Sequence, residues 1–187
     1  MEAQRDLILG TVFVVAALAL PLWNWAVSHW DKQRAYVLGI GFLGVVLIVL
    51  AFLQPGVSLA FVVLLAALAG VGISAAHVLP WSIIPDAVEW DELQTGQRHE
   101  GTFYSLITLM QKIGASLVVP GALLLLDRSG YVPNAAQQAP EVLRAIRFLV
   151  GGAPALLLIG GIAFALLYPL TRERHLAVRK ELEDRRT

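Results

Sequence analysis

Long runs without formal charge dominate this sequence and restrict it to a fold that spans a lipid bilayer. One run, residues 101–126, contains 26 residues with Lys112 as its only charged side chain. At about 1.5 Å per helical residue, such a run crosses the roughly 30 Å hydrocarbon core of a bilayer as a helix. The five predicted spans are residues 7–27, 35–53, 57–80, 101–126 and 148–171.

Composition agrees with an all-α integral membrane protein that has the lipid bilayer as its main partner. The chain is 57% apolar and only 15% charged, and its mean hydropathy is +0.69. Its net charge is zero, and no basic tract with interspersed aromatic residues is present, so nucleic acid is not predicted as a partner. The chain has no cysteine, which excludes disulfides and thiolate metal sites. No cofactor is predicted.

The connections between the spans predict the orientation of the chain. Residues 86–100, residues 127–147 and the tail 172–187 are hydrophilic. Five spans place the two termini on opposite sides of the membrane. Outside the spans, nine basic residues share the side of the tail and four lie on the other side. The positive-inside rule therefore predicts that residues 86–100 and the C-terminus lie in the cytoplasm and residues 127–147 outside. The expected location of this multi-pass protein is the plasma (inner) membrane.

A polar stripe passes through Lys112. Ser105, Thr108, Lys112 and Ser116 recur at steps of three, four and four, which places them on one helical face. A lone ammonium group at mid-depth in a bilayer costs a few kcal/mol, so it indicates a polar partner or a water-filled path for a solute or ion. Gln111, about 100° around the helix, is a further candidate for this site. The alternative is a lysine that reaches the interface or is paired only for packing.

A second candidate face lies on the preceding span. Gly70, Ser74, His77 and Trp81 recur at steps of four, three and four. Trp81 is able to stack on the apolar face of a sugar ring, while His77 offers a hydrogen bond. The alternative is a buried histidine satisfied by a neighbouring helix, together with a tryptophan at the membrane interface.

The acidic connection at residues 86–100 raises the possibility of an enzyme, which the sequence does not support. Asp86, Glu89 and Glu92 step by three, but His99 is the only histidine nearby, and no H-E-x-x-H metal motif occurs. The chain also lacks a G-x-S-x-G nucleophile motif. A solvated loop or a salt-bridged gate is the preferred interpretation, and no catalytic or metal-binding residue is predicted.

Residues 79–101, LPWSIIPDAVEWDELQTGQRHEG, followed by FYSLITLMQKIG, carry a specific resemblance. The P-W-x-x-x-P-D core, the acidic cluster, the T-G-x-R turn and the Q-K-x-G lysine resemble the region around the loop between helices ten and eleven in the glycoside-pentoside-hexuronide:cation symporters of the major facilitator superfamily. Residues 168–175, YPLTRERH, are similar to that family's exit from helix twelve. Residues 28–34, SHWDKQR, resemble its loop between helices eight and nine but lack the usual glycine.

This resemblance implies a partial major facilitator fold, in which the five spans correspond to helices eight to twelve of a twelve-helix transporter. Helix seven and the N-terminal half would be missing, so the chain is expected to be a fragment that needs that half as its partner. Family members couple the uptake of a sugar to sodium or protons. By position, Lys112 matches the family's helix-eleven lysine, Thr108 a sugar-facing residue and His77 the cavity side of helix ten.

Three functions therefore remain open. The first is symport of a sugar, glycoside or related solute with Na⁺ or H⁺. The second is transport of a lysolipid by the same fold, and the third is a small non-transporting membrane protein that associates with a partner. For the transporters, the predicted substrate or coupling residues are Lys112, Thr108, Gln111, His77 and Trp81. The predicted cytoplasmic gate consists of Asp86, Glu89, Asp91 and Arg98.

Overall fold

The computed structural model describes residues 2–54, 56–133, 135, 137–167 and 172–186, and within these ranges the regular structure is entirely helical. Five helical segments are long and apolar enough to cross a membrane. The predicted all-α membrane fold is therefore confirmed. The helices are α1 (Glu2–His29), α2 (Lys32–Ala51), α3 (Leu59–Thr95), α4 (Glu100–Arg128), α5 (Pro140–Arg147), α6 (Ala153–Leu166) and α7 (Arg172–Arg186), with a π-helical turn at Phe148–Gly152 between α5 and α6.

The core of the bundle lies where α1, α2 and α3 meet. Small side chains such as Ala26, Ala35 and Ala75 are buried there and allow the helix backbones to approach closely. Trp23 fills the remaining space, and its indole Nε1 donates a 2.9 Å hydrogen bond to the backbone oxygen of Val71. The outer layer on one side is α6, which packs against α2.

Helix α3 is longer than the sequence indicates. Its N-terminus is capped by Ser58, whose side chain accepts from the Phe61 amide, and its C-terminus by Gly96 at φ +72°. Pro80 and Pro85 lie inside it, so the prediction that residues 86–100 form the connection is wrong for residues 86–95. Prolines kink a helix that tertiary contacts support, without ending it. The connection itself has only four residues, 96–99.

The helix of the last span also begins earlier than predicted. Pro140 starts α5 inside the predicted external connection 127–147, because the fixed φ of proline suits the first helical position. Helix α5, the π-helical turn and α6 then continue as one segment, Pro140–Leu166. The predicted end of this span, residues 168–171, lies outside the described residues.

The charged tail folds as the amphipathic helix α7 and packs on the end of α3. Val178 is 3% exposed and Leu182 is 7% exposed, and Trp90 and Leu93 of α3 pack against this buried pair. We call the end of the bundle formed by residues 28–34, residues 86–100 and α7 the polar end.

Close helix contacts predict a stability effect at Gly70. A Cβ atom added there would lie 2.6 Å from the backbone oxygen of Val12 in α1, whereas one added at Gly114 in α4 meets nothing within 4 Å. We expect Gly70→Ala to destabilise the bundle by about 1–3 kcal/mol, because the helices must move apart. The melting temperature in detergent should fall by several degrees for Gly70→Ala and stay unchanged or rise for Gly114→Ala. Equal melting temperatures for the two variants would contradict this packing.

Candidate functional site

The predicted substrate residues lie on adjoining exposed surfaces of α3 and α4. The side chains of His77 and Trp81 in α3 are exposed, and in α4 those of Thr108, Gln111 and Lys112 are exposed too. Helix α4 contains no buried residue at all among its 29 residues, in contrast to α2 and α3. We call the surface formed by His77, Trp81, Tyr104, Thr108, Gln111 and Lys112 the outer face.

An aromatic pair joins the two helices of the outer face. The rings of Trp81 and Tyr104 stack with centroids 6.0 Å apart and planes inclined by 17°. His77 lies one helical turn from Trp81 in α3, and Thr108 lies one turn from Tyr104 in α4. The hydroxyl of Thr108 donates a 2.8 Å hydrogen bond to the backbone oxygen of Tyr104. The sequence interpretation selected Trp81 but missed Tyr104, which shares its helical face with Gln111.

Lys112 lies eight residues beyond Tyr104, which corresponds to about 12 Å along the helix axis. Its side chain is exposed, and within the described part of the chain it makes no hydrogen bond or ion pair. Phe103 and Ile107, which are partly buried, lie on roughly the opposite side of α4. The ammonium group therefore points away from the bundle, and its partner does not come from the described residues.

The stripe from Gly70 to Trp81 does not act as one surface. Gly70 packs against Val12 of α1, and Ser74 is 2% exposed with no hydrogen-bond partner for its hydroxyl among the described residues. His77 and Trp81 are exposed, since α1 covers only the first part of this face. Nδ1 of His77 lies 3.3 Å from the backbone oxygen of Ile73. Within the described part of the chain, no neighbouring helix buries His77.

The polar end gathers two of the predicted gate residues around a buried carboxylate. Asp86 is 6% exposed, and its Oδ1 accepts a 2.7 Å bond from Lys32 Nζ in α2. The same oxygen lies 3.3 Å from Nε2 of His175 in α7, and that nitrogen lies 2.7 Å from Oε2 of Glu89. Lys32 also donates to the backbone oxygen of Ser82 at 2.7 Å. This cluster ties α2, α3 and α7 together.

The other two predicted gate residues belong to a separate, more exposed group. Oδ2 of Asp91 lies 2.7 Å from Nδ1 of His99, and Arg98 contacts Glu100 at 3.0 Å and Glu92 at 3.3 Å. The hydrogen bond to Glu100, followed by the charges of Glu100 and Glu92, raises the pKa of Arg98 above its usual value. These pairs hold the short connection between α3 and α4, so the four gate residues do not form one cluster.

The sequence pattern did not identify two members of the polar-end cluster, Lys32 and His175. Lys32 is separated from Asp86 by 54 residues, and His175 is separated from Glu89 by 86. Lys32 lies in residues 28–34 and His175 in residues 168–175, two short segments that carry the family resemblance. Their position in these segments was the signal in the sequence that could have identified them. No spacing rule links residues so far apart in sequence.

Five helices are long and apolar enough to span a membrane. One of them, α4, has no buried residue and carries a lone lysine in its apolar part. These features define a multi-pass membrane protein of the kind that places polar groups inside the membrane. Residues 2–172 match the family described as MFS/sugar transport protein, so the chain belongs to that family. The resemblance to symporters of the major facilitator superfamily is confirmed. This family consists of transporters and gives no indication of catalysis.

The relatives of known description are symporters and transporters. The chain is 38% identical to an uncharacterised symporter of Synechocystis sp., with 98% of this chain and 35% of the relative covered. It is 33% identical to a sodium-dependent lysophosphatidylcholine symporter of Danio rerio, covering 96% of this chain and 34% of the relative. It is 30% identical to a sphingosine-1-phosphate transporter of Xenopus tropicalis, covering 92% and 33%. The chain thus spans about a third of the length of these relatives.

Proposed function

We propose that this chain is part of a cation-coupled symporter whose solute combines an anionic group with an apolar body, as a lysophospholipid does. The observation that carries this proposal is the exposed, unpaired Lys112 in the middle of an apolar span. Chemical catalysis has no support from the residues of the outer face or from the family.

The charge of Lys112 favours an anionic solute over a neutral one. An ammonium group at mid-depth in a membrane is costly unless it meets an opposite charge or water. A phosphate group supplies such a charge and several acceptor oxygens, whereas a neutral sugar supplies only hydroxyl groups. The amide of Gln111, beside Lys112 on the same exposed surface, is suited to donate to a remaining acceptor of a phosphate, and the Thr108 hydroxyl would do so on giving up its hydrogen bond to Tyr104.

The stripe through Lys112 changes character along α4 in the way an amphiphile requires. Ser105, Thr108, Lys112 and Ser116 occupy its first part, towards the polar end. The same helical face then continues with Val119, 57% exposed, and Leu123, 62% exposed. A head group held at Lys112 would therefore leave an acyl chain along an apolar surface.

The names of two relatives agree with this solute class. Lysophosphatidylcholine and sphingosine-1-phosphate both consist of a phosphate-bearing head and one long apolar chain, and one relative is named as sodium-dependent. We therefore propose Na⁺ as the coupling ion and H⁺ as the alternative. The matched relatives are about three times longer than this chain, which supports a second bundle that completes the path beside the outer face.

A sugar is the second candidate solute. The stacked pair of Trp81 and Tyr104 exposes an aromatic surface next to His77, and such surfaces bind the apolar faces of sugar rings. The family description also names sugar transport. In this alternative, Lys112 would act in cation coupling.

Orientation and gating follow from the same proposal. The basic residues of the tail side support a cytoplasmic polar end in the plasma membrane. Asp86, Glu89, Asp91 and Arg98 would then act at the cytoplasmic gate, where Asp86 is already held by Lys32.

A panel of solutes tests the solute class. The protein that contains this chain is reconstituted in proteoliposomes with an inward Na⁺ gradient, and uptake of labelled lysophosphatidylcholine is measured against excess unlabelled competitors. We expect lysophospholipids to compete at concentrations at least about tenfold below any neutral sugar. One hydrogen bond between the phosphate and the charged Lys112 contributes about 1.5–3 kcal/mol, which corresponds to a factor of at least about ten in binding. Uptake that only sugars inhibit, in a parallel assay with a labelled glycoside, would overturn the lysolipid proposal in favour of the sugar.

A further inference from the structure

Helix α7 packs on the end of α3 and contacts two acidic side chains of the polar end. We propose that α7 is an autoinhibitory strap, which contacts Asp86 and Glu89 at the polar end and must undock before Glu89 Oε2 engages a cationic group from outside this cluster. Its docking is a property of this chain alone, and only its effect on uptake rests on the proposed function.

The polar half of the strap is His175. Its Nε2 lies 2.7 Å from Glu89 Oε2 and 3.3 Å from Asp86 Oδ1. A ring nitrogen between two carboxylate oxygens is satisfied only as a donor, so it carries a hydrogen. The side chains of His175, Asp86 and Glu89 are 18%, 8% and 23% exposed. Docked α7 therefore covers the two carboxylates that the sequence identifies as gate residues.

The apolar half of the strap lies further along the same face of α7. His175, Val178 and Leu182 follow one another at helical spacing, and Val178 and Leu182 are buried against Trp90 and Leu93. Beyond them, Arg185 donates a 2.9 Å hydrogen bond to the backbone oxygen of Leu93. Helix α7 thus runs beside α3 in the same direction, from Asp86 to Leu93.

The extent of this contact is suited to reversible docking. Helix α7 has 15 residues, a length at which an isolated helix is marginal in water. Its buried apolar contact consists of two side chains, Val178 and Leu182, and Leu176 on another side is 57% exposed. Arg172 adds hydrogen bonds to the backbone oxygen of His29 at 3.0 Å and to Asp31 at 3.1 Å, so loss of the His175 contact is expected to weaken docking of α7 rather than abolish it.

Undocking would have a defined consequence at the gate. Without His175, Glu89 loses its 2.7 Å partner, whereas Asp86 keeps Lys32. A cationic group from another part of the transporter must displace His175 to bind Oε2 of Glu89. The strap and any such group therefore compete for this oxygen.

Cysteine labelling tests whether α7 docks through this cluster. The chain has no cysteine, so a single one is introduced into the purified full-length protein in nanodiscs, and maleimide labelling of the α7 peptide is followed by mass spectrometry. We expect Val178→Cys to react at least about tenfold more slowly than the matched control Leu176→Cys. Adding His175→Ala should raise the Val178→Cys rate about tenfold, as loss of a hydrogen bond to a charged group implies, and leave the control unchanged. Equal rates for the two cysteines, or no effect of His175→Ala, would overturn the strap.

Initial uptake rates test the inhibition. The double variant His175→Ala/Val178→Asp, which removes the polar and the apolar contact, is expected to take up solute several-fold faster than the parent protein. An unchanged or lower rate would overturn the inhibitory role. Absence of uptake in every variant would instead contradict the proposed function, and the labelling rates would still decide whether the strap docks.

Discussion

Replacing Lys112 with alanine is expected to abolish gradient-driven uptake of a lysophospholipid while the protein still inserts into the membrane. The side chain is exposed and makes no hydrogen bond or ion pair with the described residues, so its removal leaves no buried cavity and no unpaired polar partner. It does remove the one charge in residues 101–126. The lost interaction with an anionic head group is worth about 1.5–3 kcal/mol, which corresponds to roughly a 10- to 150-fold loss in binding of the solute.

Two further variants of α4 make this result specific. Lys112→Arg keeps the charge and should retain part of the uptake, although its planar group presents the donors differently. Leu117→Ala changes a side chain that is 70% exposed and lies about 140° around the helix from Lys112, and it should leave uptake unchanged. Membrane yield and melting temperature should match the parent protein in all three variants. Normal uptake by Lys112→Ala would remove Lys112 from the site.

Replacing Asp86 with alanine is expected to give the largest loss of stability. The carboxylate is buried and pairs with Lys32 at 2.7 Å, and its removal leaves the ammonium group without a charged partner. Breaking a buried ion pair from one side costs about 3–5 kcal/mol, and the 28% exposure of Lys32 favours the lower end. The melting temperature should therefore fall by roughly 6–12 °C.

An exposed ion pair in α7 supplies the control for the Asp86→Ala variant. Glu181 and Arg185 are 56% and 51% exposed, and a surface pair of this kind contributes about 0–1 kcal/mol. Glu181→Ala should therefore change the melting temperature by no more than a few degrees. The double variant Lys32→Met/Asp86→Leu should recover most of the stability lost in Asp86→Ala, since it leaves no buried charge. Equal melting temperatures for Asp86→Ala and Glu181→Ala would show that the cluster does not stabilise the bundle.

Hydropathy was enough to predict the membrane helices because it depends only on the residues of each segment. Residues 101–126 show this well, since α4 is the helix Glu100–Arg128. The length of α3 was not predictable in this way. Residues 86–95 are hydrophilic and follow Pro85, and they remain helical while Trp90 and Leu93 pack against Val178 and Leu182 of α7, which are at least 85 residues away in sequence.

For the candidate site too, the sequence predicts features that belong to one helix but not those that depend on contacts between helices. The spacing of polar residues predicted that Lys112 and Thr108 share one face of a helix, and in the structure both side chains are exposed. Helical periodicity also placed Gly70 and Trp81 on one face, yet it carries no information about α1, which covers Gly70 and leaves Trp81 open. The pairing of Asp86 with Lys32 and His175 depends on how three helices meet, and local patterns do not specify it.

Uptake of labelled lysophosphatidylcholine, with and without an inward Na⁺ gradient, is the measurement on which the proposed symport depends. It uses proteoliposomes that contain the protein of which this chain is a part. The account predicts accumulation above the equilibrium level with the gradient and loss of that accumulation when an ionophore collapses it. Uptake that is the same with and without Na⁺ and H⁺ gradients would contradict coupled symport of this solute.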